Sequence, residues 1–145
     1  MANAKSAQKS LDRLRGAGLR PTRQRLALAG LLFPKPGHKR HVTAEALHGE
    51  ARAVRVRVSL ATVYNTLNQF TQAGLLREVN VGPGASYFDT NTSPHHHLLN
   101  ETNGALSDLE PGGIKVSGLP KPPRGSEIAR VDVVVRMRRR APRKK

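Results

Sequence analysis

Three consecutive histidines, His95-His-His97, stand in the one stretch of the chain where acids outnumber bases. Over residues 75–110 a single cation, Arg77, faces Glu78, Asp89, Glu101, Asp108 and Glu110. Imidazoles with carboxylates suit Fe(II), Mn(II) or Zn(II), and no soft thiolate is needed. In an extended segment residues two apart point to the same side, so His95 and His97 can converge while His96 faces away. A second chemistry lies at residues 59–73. There Ala61, Thr62, Asn65, Asn68 and Gln69 share a face of small or hydrogen-bonding side chains without an acid. Such amides and hydroxyls both donate and accept, as reading base edges requires.

The charge around these groups points the same way. The 145 residues carry a formal net charge of +15. Residues 1–40 hold ten Lys or Arg against one acid, and residues 111–145 hold eleven against two. A basic protein whose one anionic stretch holds its densest imidazole cluster suggests a polyanion outside and a cation within. There is no cysteine, which excludes disulfides, thiolate catalysis and Cys-built zinc or iron–sulfur sites. Three Phe, two Tyr and no Trp are too few for a base-stacking platform. No stretch reaches the roughly 20 apolar residues of a membrane span, and Met1 to Ser10 lacks the apolar core of a signal peptide. A cytoplasmic protein with no membrane partner is expected.

The elements that must position these residues follow from period and caps. Ala7, Leu11 and Leu14 mark a helix over 6–16, ended by Gly16 and Gly18. Thr22 caps a second helix that Pro34-Lys-Pro-Gly37 stops. Thr43 caps a third, running to about Ala53, with Val42 and Leu47 placed as a hydrophobic staple. Val54–Val58 alternates with period two and reads as a short strand or an extended connector. Ser59 caps the clearest helix, with Leu60, Val63, Leu67 and Phe70 as one apolar stripe and Gly74 at its stop. A hairpin follows, Leu75–Val81 and Ala85–Asp89, around Gly82-Pro83-Gly84. Helices, then a clean helix, then a hairpin is the order of a winged helix-turn-helix. Beyond a boundary near Thr90–Pro94, strands are expected at His97–Asn100, Ala105–Leu109, Ile114–Ser117 and Val131–Met137. The tail Arg138–Lys145 is too charged to pack.

The run Gly18-Leu-Arg-Pro-Thr-Arg-Gln-Arg25, then His41-Val-Thr-Ala-Glu45, then Ser59-Leu-Ala-Thr-Val-Tyr64 with Leu67, resembles the ferric uptake regulator (Fur) family over roughly residues 8–138. Tyr87-Phe-Asp89-Thr-Asn before His95-His-His97, and the ending Arg130-Val-Asp-Val-Val-Val-Arg136, resemble its iron response regulator branch. The resemblance implies an α+β chain: an N-terminal winged helix-turn-helix over 1–90, a small α/β dimerisation and sensing domain over 91–138, and a basic tail over 139–145. It implies a homodimeric transcription repressor of iron-responsive genes, bound to a pseudo-palindromic double-stranded operator. Residue by residue, it carries metal ligation to His41, Asp89, His95, His97 and Asp108, with both aspartates standing where relatives have Glu. One ion held by all five would clamp the reading domain to the sensing domain. It also implies a haem alternative at His95, His96 and His97. For DNA it puts Arg20 near the minor groove and Ser59, Thr62, Tyr64 and Asn65 near the major groove or its phosphates. Where many relatives begin a structural zinc site with a Cys pair, this chain has Asn100-Glu-Thr-Asn103.

Two other function classes compete. A nonspecific architectural DNA-binding protein would need only the basic flanks, whereas the acid-free face of residues 59–73 argues for base reading. A metallohydrolase would need a motif such as His-Glu-x-x-His or a nucleophile elbow, and neither occurs. A non-enzymatic regulator is the reading to test.

Overall fold

The computed structural model describes residues 4–110 and 112–142, without the side chain of Ala85. Residues 1–3 of the N-terminal segment and 143–145 of the basic tail lie outside the described residues. The chain divides into two compact units, one ending at Thr92 and the other beginning at Ser93.

In the first unit each predicted cap does its work. α1 spans Ala4–Gly16, α2 Arg23–Leu32, α3 Ala44–Ala53 and α4 Leu60–Gln72. The hydroxyls of Thr22, Thr43 and Ser59 accept the backbone N–H of Arg25, Ala46 and Thr62 at 3.2, 3.1 and 3.0 Å. Each satisfies an N–H that the helix itself cannot reach. Three of the helices end alike. Leu19, Val56 and Leu75 donate their N–H groups back to the carbonyls of Leu14, Ala51 and Phe70 at 2.8–2.9 Å. These closures need a left-handed residue just before them. Gly18 and Gly74 take that place after α1 and α4, with φ of 77° and 83°; after α3 it is Arg55, with φ of 60°. Residues 54–58 are thus a turn and a connector rather than a strand.

The helices close over one core. Leu14, Leu28, Leu32, Leu47, Val63, Leu67, Phe70 and Phe88 are all fully buried there, and Leu60 packs at its edge. The expected hairpin forms β2, Arg77–Gly82, and β3, Ala85–Asp89. A strand not foreseen joins it. β1, only His41–Val42, pairs antiparallel with β3 and makes the order β1-β3-β2. Two residues are too few to show a period, so β1 had no sequence signal.

The second unit is a three-stranded sheet in the order β5-β4-β6. β4 spans His96–Asn100, β5 Ala105–Leu109 and β6 Val134–Met137. β4 is central, antiparallel to β5 and parallel to β6. The turn after β4 is held by amides: Asn100 Oδ1 accepts the Thr102 N–H and Asn103 Oδ1 the Ala105 N–H, both at 2.9 Å. Ile114–Ser117, expected as a strand, is irregular. Left-handed glycines at both ends, Gly112 and Gly118 with φ of 86° and 74°, interrupt the extended path. β6 is shorter than the expected Val131–Met137, because the Val133 N–H donates to the His96 ring instead of to a backbone carbonyl. No residue described in this unit is helical.

Candidate functional site

The imidazole cluster is built by strand alternation. His97 lies on β4 directly across from Asp108 on β5, and His95 stands in the extended residues just before β4. Both rings are buried, with 3% and 1% of their side chains exposed. Their centroids are 4.4 Å apart, edge to face. Both Nε2 atoms converge on Asp108 Oδ1, at 3.1 Å from His95 and 3.6 Å from His97. His96 faces the other way, where its Nδ1 accepts the Val133 N–H at 3.2 Å. The register thus separates the triplet as period two requires.

One contact determines what this cluster can do. His95 Nδ1 lies 2.6 Å from the Ser93 carbonyl oxygen. A carbonyl only accepts, so Nδ1 carries the proton and donates it. The Nε2 of a neutral His95 then presents a lone pair to a carboxylate oxygen. Two lone pairs at 3.1 Å repel unless a positive charge stands among them, either a proton or a metal ion. A ring nitrogen donating to a carbonyl while the other faces outward is how protein structures orient an imidazole toward a metal. One ligand atom from each of His95, His97 and Asp108 lies within 4.8 Å of the others. This donor set of two imidazoles and a carboxylate fits a divalent cation of the iron, manganese or zinc kind.

The remaining expected ligands form a pair in the first unit. β1 sets His41 opposite Asp89 on β3, and His41 Nε2 lies 3.1 Å from Asp89 Oδ2. Asp89 is fully buried, and its Oδ1 accepts the Asn91 N–H at 2.8 Å. The Thr90 N–H donates to the Arg40 carbonyl at 3.0 Å, and Thr90 Oγ1 accepts the Arg40 N–H at 2.9 Å, which extends the β1–β3 pairing by one residue and holds the pair in register.

The face expected to read bases also lies in the first unit. Along α4, Val63, Leu67 and Phe70 are buried, while Ala61, Tyr64, Asn65, Asn68 and Gln69 are exposed. Thr62 is half-buried, and the Ser59 hydroxyl donates to Thr62 Oγ1 at 2.9 Å. Ser59 is therefore occupied twice, as cap and as donor. Arg20 is exposed in the α1–α2 loop. Arg25 ties that loop to α4, donating to the Arg20 carbonyl at 2.8 Å and to Gln69 Oε1 at 2.9 Å. The Tyr64 hydroxyl donates to Glu45 Oε1 at 2.6 Å. That bond holds the Glu45 carboxyl below its ordinary range and pushes the Tyr64 phenol above its own. In the sequence Glu45 is only the last residue of the His41–Glu45 motif. A contact 19 residues apart leaves no local signal.

Comparison with known proteins agrees with this architecture. The peroxide-responsive repressor PerR of Staphylococcus aureus is 33% identical over 103 residues, 71% of this chain and 68% of that protein. A ferric uptake regulator from Pseudomonas aeruginosa, solved with manganese, superposes with a TM-score of 0.64 at 23% identity, covering 91% of this chain and 98% of its own. One from Francisella tularensis, solved with iron, gives 0.64 at 16% identity, covering 83% and 92%. At these identities the two solved structures speak for the fold. No helix among the described residues is long and apolar enough to cross a membrane. The ferric uptake regulator family matches residues 16–132, across both units. The chain belongs to that family.

Proposed function

We propose that the chain is a metal-responsive transcriptional repressor that binds a pseudo-palindromic duplex as a homodimer. Its effector is a divalent cation, iron, manganese or zinc, held by His95, His97 and Asp108. The observation that carries this reading is the His95 ring, whose Nδ1–H is committed to Ser93 while its Nε2 meets Asp108. A bound cation would supply the positive charge that these facing lone pairs require. The family match and the peroxide-responsive repressor among the relatives support a regulator and not an enzyme. Haem is the weaker alternative. His96 Nδ1 already accepts a backbone N–H, so its Nε2 carries the proton and has no lone pair to offer iron. His41 and Asp89 give the DNA-reading unit its own answer to metal, because β1 ends one residue before the Thr43 cap of α3.

The test pairs metal content with DNA binding before and after chelation. The wild type should bind about one divalent ion per chain and prefer a selected operator over random duplex by more than about a thousandfold in one metal state only. The His95→Ala, His97→Ala double variant should fold but lose the metal response. His41→Ala should keep most metal yet weaken its effect on DNA. Equal DNA binding in all metal states by the wild type would defeat the regulator reading, and a uniform lack of operator preference would leave the architectural one.

A further inference from the structure

At the N-terminal end of α4 lies a groove of about 870 Å³, lined by Arg52, Arg55, Arg57, Ser59 and Thr62 among others. The metal reading makes no use of it. All three arginines are exposed, and no carboxylate pairs with them among the described residues. The one acid between Glu45 and Glu78 is Glu50, and both of its oxygens are held by Arg40, at 2.9 and 2.6 Å. The groove also meets the first turn of α4. Its leading N–H groups carry partial positive charge, and the Ser59 cap satisfies one of them. Planar guanidinium groups beside a helix N-terminus match the tetrahedral oxygens of a phosphate.

Arg55 adds a separate observation. It occupies the left-handed position that closes α3, where α1 and α4 close with Gly18 and Gly74. Glycine adopts that backbone without a steric penalty. This chain instead holds a cation there, exposed and aimed at no residue of its own unit.

We propose that Arg52, Arg55 and Arg57 form a clamp for a backbone phosphate of the duplex whose bases α4 reads. The clamp rests on the DNA-binding reading above, and it positions the protein on DNA rather than choosing sequence. A free polyphosphate would meet the same chemistry.

The test measures affinity for a selected operator and for random duplex across a salt series. Arg55→Gly should weaken both by a similar factor, roughly threefold to tenfold near about 0.1 M salt, and reduce the slope of log affinity on log salt by about 0.9 per protomer, about 1.8 for a bound dimer. Its Tm should not fall, since glycine suits the backbone. Arg52→Ala with Arg57→Ala should reduce the slope further, while Arg124→Ala, removing one charge from the second unit, should leave it unchanged. An unchanged slope in Arg55→Gly, or an equal drop in Arg124→Ala, overturns the clamp. So does saturable binding of tripolyphosphate, abolished in Arg55→Gly, if the DNA slope stays that of the wild type. If the wild type prefers no duplex, the repressor reading fails instead, and the slopes on random duplex still decide the clamp.

Discussion

Tyr64 has a ring that faces outward from α4 and a hydroxyl committed to Glu45 on α3. Bound this way, the phenol spends its donor within the protein, and only the ring would be left to meet a base if α4 reads DNA. The pair also has a definite pH window. Glu45 is depressed in the folded chain, so its contribution is present above the ordinary carboxylate range and is lost as pH falls through the lowered value. Tyr64 is raised, so its contribution is present below the ordinary phenol range and is lost as pH rises through the higher value. Between those limits the latch is closed. Glu45→Ala should bring the Tyr64 titration down toward the ordinary phenol value, read by ultraviolet absorbance against Tyr64→Phe, which leaves only the Tyr87 signal. A Tyr64 titration unmoved by Glu45→Ala would show that the latch does not persist in solution. Tyr64→Phe should keep the ring and hence most of any sequence preference, whereas Tyr64→Ala should not.

At the scale of elements, α4 joins two incompatible surfaces. Its inner stripe ends at Phe70, fully buried between the helices, and its outer face is amide and hydroxyl. Truncating Phe70 to Ala should destabilise the first unit by about 3–5 kcal/mol, from lost apolar burial plus the cavity left behind. A denaturant titration checks this. A loss under about 1 kcal/mol would mean the core collapses to fill the space. Exposed Asn68→Ala should stay within about 0.5 kcal/mol and change DNA binding alone if that face reads bases. The apolar stripe and the caps of this helix were legible from spacing, since both are local. The strain at Arg55 was not, because nothing in Val54-Arg-Val-Arg-Val58 announces a left-handed residue where alternation suggests a strand.

On the scale of the whole molecule, the second unit has little core of its own. Leu99 is its one buried apolar residue among those described, while Val116, Leu119, Ile128, Val135 and Met137 remain 37–48% exposed. β5 and β6 are both edges of a three-stranded sheet, and uncovered edges beside apolar side chains invite a second copy. Homodimerisation through residues 95–137 is therefore expected. Sedimentation at micromolar protein should give a dimer, and Val135→Asp with Met137→Asp should shift it toward monomer. A monomeric wild type, with and without metal, would contradict this. Metal affinity should also decline as pH falls, because protons compete for the imidazoles.

What the sequence determined by itself is whatever depends on neighbours a few residues apart. Caps, helix stripes, the hairpin and the opposite facing of His96 to His95 and His97 follow from local stereochemistry and period. The absence of cysteine ruled out thiolate chemistry outright. The tertiary structure alone decided the contacts made across long stretches of chain. The two-residue strand β1 exists only because β3 is there to pair with it, and through it His41 meets Asp89. The 3.1 Å approach of His95 to Asp108 depends on the register of β4 against β5. The latch of Glu45 on Tyr64 depends on how α3 lies beside α4. Such pairings are set by core packing and strand register, and no window of sequence contains both partners.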